Sequence, residues 1–284
     1  MILKKLAAIL LILLPGVSLG KILTDPTVPP GYSLVWSDEF NQGVLGKVDN
    51  TVWNYEIGRM PYSSAELQLY SDDTANVAIH LDPEATDNKV LAITAYQSGA
   101  SYSSGRINTH NHKNFQYGYI ETRIQLPYGQ GIWPAFWLLG DNNLGWPNCG
   151  EIDIMENIGR AEDQSLCHGS MHGPGYFAGA CLTGQYALPD GKRFKDGYHI
   201  FGVLWEKDSV QFYCDGHLYE TRTPADLPKG ANWVFNHPFY IILNLGVGGD
   251  WPGNPGADTT FPQTMKVDYV RVYQKTPAPN PIAQ

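Results

Sequence analysis

The chain has 284 residues, 43% of them hydrophobic and 17% charged, with 30 glycines and 20 prolines. That apolar fraction supports a packed core and excludes a disordered or collagen-like polymer. The formal charge is −9, and no lysine or arginine run follows Lys4-Lys5, so the pattern excludes nucleic acid as a partner.

The N-terminus reads as an export address. Lys4 and Lys5 precede a short apolar run, Leu6 to Leu14, and then the small residues of Ser18-Leu19-Gly20. This is the layout of a secretory signal peptide, with cleavage expected after Gly20. The expected product is extracellular or periplasmic. It carries no membrane segment, because no later stretch approaches eighteen apolar residues. Residues 21–275 are expected to form one domain acting as a monomer, and residues 276–284 a loose Pro-rich tail.

From residue 33 onward, short apolar-alternating runs are broken by Gly, Pro, Asn and Asp. Examples are residues 33–36, 89–95, 116–125, 209–214 and 266–273. In the last of these, alternation groups Val267, Tyr269, Arg271 and Tyr273 on one face, opposite Asp268, Val270 and Val272. Asp215-Gly216 signals a type I′ hairpin. No helical period runs longer than about ten residues, so the fold class predicted is all-β, a single antiparallel sandwich.

Gly131 to Gly140 contains Trp133 and Trp137, which share a face in an extended strand and offer two rings to a ligand. Residues 150–157, GEIDIMEN, follow. In a strand, Glu151 and Asp153 share one face while Ile152 and Ile154 enter the core. Strict alternation would send Glu156 into the core, where a lone carboxylate is very costly. A β-bulge around Ile154-Met155 would return Glu156 to the face of the other two acids. Three crowded acids raise one another's pKa values. A retaining glycosidase needs such a set: a carboxylate nucleophile about 5 to 5.5 Å from a protonated carboxylic acid. A calcium site or a solvated acidic strand would use the same residues.

Four cysteines remain, Cys149, Cys167, Cys181 and Cys214, and export permits disulfides among them. The pairing expected is Cys167 with Cys181, which bracket a Gly-rich loop. Closing a loop of about 15 residues contributes about 3 kcal/mol. A zinc site would lack any CxxC pair.

The motif GEIDIMENIG, with WPAFWLLG before it, HGSMHGPGY after it and NLGVGGDWPG near the end, resembles glycoside hydrolase family 16 and its laminarinase-like endo-β-1,3-glucanases. The resemblance runs from Trp36 to Gln274. It implies a jelly-roll sandwich of two curved antiparallel sheets, with substrate along a concave cleft, and internal hydrolysis of a β-glucan polysaccharide partner. It also implies Glu151 as nucleophile, Asp153 as its assistant and Glu156 as acid and base, with no cofactor required for catalysis. Asn54, Arg106, Trp133, Trp137, His172 and Trp251 become sugar contacts. A structural calcium at Glu39 and Asp268 would pin the first strand to the last. Mixed-linkage glucan, a galactan, or recognition of glucan without cleavage are the alternatives.

Overall fold

A computed structural model describes residues 28–43, 46–60 and 65–276. The expected export segment and residues 277–284 of the tail lie outside the described residues. Among the described residues, the strands in chain order are β1 (Tyr32–Asp38), β2 (Asn54–Tyr55), β3 (Gln68–Tyr70), β4 (Val77–Leu81), β5 (Lys89–Ser98), β6 (Ser101–Ser104), β7 (Arg106–Asn108), β8 (Gly118–Gln125), β9 (Ile132–Gly140), β10 (Glu151–Glu156), β11 (Leu166–His172), β12 (Leu182–Ala187), β13 (His199–Glu206), β14 (Ser209–Cys214), β15 (His217–Arg222), β16 (Phe239–Val247) and β17 (Gln263–Lys275). Helix among the described residues is confined to four single-turn 3-10 segments.

The strands make a ten-stranded and a seven-stranded sheet. The larger runs β15-β14-β13-β8-β17-β5-β6-β3, with β1 added on β17 and β4 on β5; the smaller runs β12-β11-β10-β9-β16-β7-β2. Neighbours pair antiparallel except β3 with β6, which run parallel. The jelly-roll sandwich expected from the sequence is the fold. Phe136, Ile152, Ile154 and Met155 of the smaller sheet share one core with Val203, Phe212, Val270 and Val272 of the larger. Each of these is fully buried, and each such burial stabilises by about 1.5–3 kcal/mol.

The Asp215-Gly216 turn joins β14 to β15 with both residues at positive φ, 48° and 79°, as a type I′ turn requires. Strand β17 departs from simple alternation. Its register on β8 slips between Val267 and Tyr269, so Asp268 is an extra residue. Val267 therefore joins Val270 and Val272 in the core. Tyr269, itself buried, and Arg271 lie together on the opposite face, the guanidinium 3.7 Å from the ring centroid. The face predicted for Val267 is thus corrected, because one extra residue inverts the parity of everything beyond it.

Candidate active site

Strand β10 lies between β9 and β11 and supplies three acids to one surface. Glu151 pairs with Leu139 and His172, and Asp153 with Trp137 and Ser170. The register then shifts: Met155 opposes Phe136, and Glu156 opposes Ala135 and His168, leaving Ile154 without a partner on β9. Ile154 and Met155 are consecutive and both fully buried. The core accepts two neighbouring apolar side chains, and Glu156 emerges beside Glu151 and Asp153. The bulge expected from the sequence is present at the expected residues.

The acids line a cleft of about 470 Å³ on the outer face of the smaller sheet. Burial is the first cause of strained ionisation in all three. Glu151 is held well above the ordinary carboxylate value by burial and then by the Asp153 charge, against the opposing pull of His172 and the Trp146 indole. Asp153 is raised by burial and then by Glu156. Glu156 is raised to about 7 by burial, with His172 and the Trp133 N–H pulling it down and Glu151 pushing it up. Glu151 and Asp153 share one face of the strand, so the Asp153 charge helps to keep a proton on Glu151.

His172 sets the orientation of that pair. Its Nδ1 accepts the Ala178 backbone N–H at 3.1 Å, which leaves the proton of a neutral ring on Nε2. Nε2 lies 3.0 Å from Asp153 Oδ2 and 3.8 Å from Glu151 Oε1. Asp153 Oδ2 is buried without an aligned hydrogen bond, so the 3.0 Å approach is a close polar contact with the Nε2–H group and not an aligned hydrogen bond. Glu151, Asp153 and His172 bring ligand atoms within 4.8 Å of one another. The tautomer aims an N–H at the carboxylates, whereas a metal ligand needs a bare nitrogen there.

The rest of the cleft is aromatic and polar. The Trp133 Nε1–H donates to Glu156 Oε1 at 2.9 Å, and the Trp137 Nε1–H to Asn244 Oδ1 at 2.7 Å. Arg106 lies over the Trp137 ring at 4.8 Å, with its Nε 2.9 Å from Glu56 Oε1. Trp146 and Phe177 form an exposed edge-to-face pair, with centroids 5.4 Å apart.

A family model described as glycosyl hydrolases family 16 matches residues 62–271, a span that includes all three acids and both tryptophans. This chain belongs to that family. It is a glycoside hydrolase by that membership. It is 42% identical to the laminarinase catalytic domain of Thermotoga maritima, with a TM-score of 0.76 over 86% of this chain and 99% of that one. It is 34% identical to a beta-glucanase of Rhodothermus marinus, over 94% of this chain and 93% of the relative. It is 36% identical to the glucan endo-1,3-beta-glucosidase A1 of Niallia circulans over 89% of its length. There it spans only 39% of the larger protein.

Of the residues this hydrolase was expected to use for sugar, Arg106, Trp133 and Trp137 line the cleft with the three acids. Trp251 packs edge-to-face on Trp133 at 5.8 Å. Asn54 serves the framework: its Nδ2 donates to the His110 carbonyl at 2.7 Å and to Asn108 Oδ1 at 3.2 Å. His168, Trp146, Asn244 and Glu56 were given no role in the sequence reading. Alternation on β16 could have flagged Asn244, and Arg106 needed a carboxylate such as Glu56, but neither neighbour is close in sequence.

The expected disulfide fails. All four cysteines are free. Cys167 opposes Tyr186, whereas Met171 opposes Leu182, which places Cys181 five residues along β12 from the Cys167 position. Five strand residues span about 16 Å, far beyond the roughly 7 Å limit between disulfide α-carbons. Cys167 also faces the core, while Cys181 lies within the field of Asp153 and Glu156. Glu39 and Asp268, the candidate calcium ligands, each pair with an arginine. Arg271 donates to both Glu39 oxygens at 3.0 and 2.9 Å. Asp268 takes Arg123 and the backbone and hydroxyl of Thr86. Guanidinium charge stands where the cation was expected.

Proposed function

We propose that this chain is an exported, retaining endo-β-1,3-glucanase acting on laminarin-type glucans as a monomer. The observation that carries the reading is the bulged β10, which sets Glu151, Asp153 and Glu156 on one cleft floor with their carboxyls raised. The names of the similar proteins supply the substrate class, and the Lys-Lys, apolar run and Ser18-Leu19-Gly20 sequence supports export.

On this reading Glu156, near-neutral in titration, protonates the glycosidic oxygen as the bond from C1 breaks. The Glu151 proton passes to Asp153, and the Glu151 carboxylate so formed attacks C1 from the opposite face to make the glycosyl-enzyme. Water then attacks C1, giving its proton to Glu156 and releasing Glu151. Trp137 and Arg106, stacked in the cleft, hold the sugar chain, and no cofactor takes part.

The test is reducing-end release from laminarin, mixed-linkage glucan, agarose and carrageenan, with proton NMR of the first anomer formed. Release of β-anomer from laminarin that vanishes in Glu151→Gln supports the proposal. A larger rate on mixed-linkage glucan moves the substrate assignment there. No release from any polymer, with laminarin still retarding the protein in an affinity gel, overturns it in favour of glucan recognition.

A further inference from the structure

His168 has no part in the chemistry above, yet it opposes Glu156 directly across the β10–β11 ladder. Residues directly opposite in an antiparallel pair send their side chains to the same face, with Cβ atoms about 5 Å apart. The His168 ring is 6% exposed, and its Nε2 is buried with no hydrogen-bond partner. A polar nitrogen buried without a partner is costly, and burial pushes the imidazole below its ordinary value, so the ring is neutral.

The ring contacts run in a circle back to Glu156. His168 meets Trp251 edge-to-face, with centroids 4.8 Å apart at 83°. Trp251 meets Trp133 at 5.8 Å and 88°, and Trp133 donates to Glu156. The turn that carries Trp251 is itself seated on this group. Gly248 N donates to the Gly131 carbonyl at 2.8 Å, and Gly253 N to that of Gly249 at 2.9 Å. Gly249 has φ 129°, and a Cβ there would lie 3.1 Å from the Trp133 ring. The loop can follow this path because residue 249 has no side chain.

We infer that His168 is a positioning residue for Glu156: its ring seats Trp251 against Trp133, and the three rings fix the carboxyl and shut water out from its flank. The inference rests on the reading of Glu156 as the acid and base. The charged and titratable groups bearing on Glu156 are Glu151 and Asp153 on its own strand, His172 and Cys167 on β11, and Cys181 beside β12. Asp163 and Arg160 bear on His168 from the loop before β11 with opposite signs. A neutral ring at position 168 adds no charge to this set, so it acts on Glu156 through packing and exclusion of water.

The experiment compares the purified protein with His168→Ala and His168→Phe. The readouts are kcat and KM on laminarin across pH, and burst-phase release from a β-1,3-linked disaccharide carrying a 2,4-dinitrophenyl leaving group. In His168→Ala, water reaches Glu156, and the alkaline limb of kcat/KM moves about half a pH unit or more to lower pH. In that variant kcat near pH 7 falls about tenfold, while KM stays within about twofold and the dinitrophenyl burst, which needs no acid, is unchanged. His168→Phe restores both limb and kcat, because the ring is what acts. A His168→Ala protein with native circular dichroism and an unmoved limb overturns the inference, as does a loss confined to KM or a His168→Phe variant as impaired as the alanine. Glu156→Gln measured alongside separates the two failures. If it abolishes laminarin hydrolysis and spares the burst, the acid assignment stands whatever His168 does; if it leaves hydrolysis intact, the assignment falls and takes the inference with it.

Discussion

Carboxylates on the two sheets meet opposite company. Around β17, Asp268 is buried against Arg123, Glu39 is gripped at both oxygens by Arg271, and Asp82 takes Lys266 at 2.8 Å and the Tyr198 hydroxyl at 3.0 Å. Burial pushes Asp82 upward, yet Lys266, the Glu84 N–H and Tyr198 hold it below its ordinary value. On β10 the partners of the acids are one another, His172, Trp133 and Trp146, and every carboxyl rises. Burial beside a cation favours the ionised carboxylate and ties strands together. Burial among other acids keeps a proton in place, ready to be given to a substrate.

Breaking the β10 group should cost activity rather than stability. Glu151→Gln and Glu156→Gln are each expected to lower kcat on laminarin by roughly 10⁴-fold, measured by reducing-end release. Breaking the β17 group should do the reverse. Asp268→Ala removes a carboxylate that is 1% exposed and leaves Arg123, 24% exposed, without it. The expected loss is about 3 kcal/mol by urea unfolding, with kcat unchanged in the folded protein.

The pH dependence of stability sharpens the contrast. The Glu156 carboxyl is raised in the fold from 4.5 to about 7, so the folded state holds its proton more tightly than the unfolded chain. Its contribution is complete below about pH 4.5 and is lost as pH rises toward 7. Relative to the parent, Glu156→Gln should therefore gain about 3 kcal/mol by pH 8 and nothing at pH 4, read from urea midpoints at the two pH values. Glu39→Gln, in a pair 27% and 22% exposed, should cost under about 1 kcal/mol. Cys181→Ala should also cost under about 1 kcal/mol, against 2–5 for loss of a native disulfide, by thermal unfolding without reductant.

The same physics explains what could be read in advance. At β10 the sequence carries its own contradiction: alternation would bury Glu156 between apolar neighbours, and the bulge follows because a lone carboxylate there is costlier than one unpaired strand residue. At Asp268 no such alarm sounds, because an acid among valines can be excused as surface until Arg123 and Thr86 arrive from elsewhere in the chain. The cysteine pairing failed for a related reason. A Gly-rich loop between Cys167 and Cys181 looked closable, but β11 and β12 pair directly, and their register moves the two thiols apart and to opposite faces.

The sequence by itself determined the all-β class, the type I′ hairpin at Asp215-Gly216, the cluster of acids and the bulge that unites it. Each follows from side-chain period, local turn geometry or the cost of burying one charge, and none needs a distant partner. Only the tertiary structure decided which acids are neutralised, which nitrogen of His172 carries the proton, and that Trp133 turns its N–H toward Glu156. It alone also brought His168 and Trp251 into contact. Those outcomes depend on strands far apart in the chain, and ionisation and orientation are set by whichever groups the fold brings within a few ångströms.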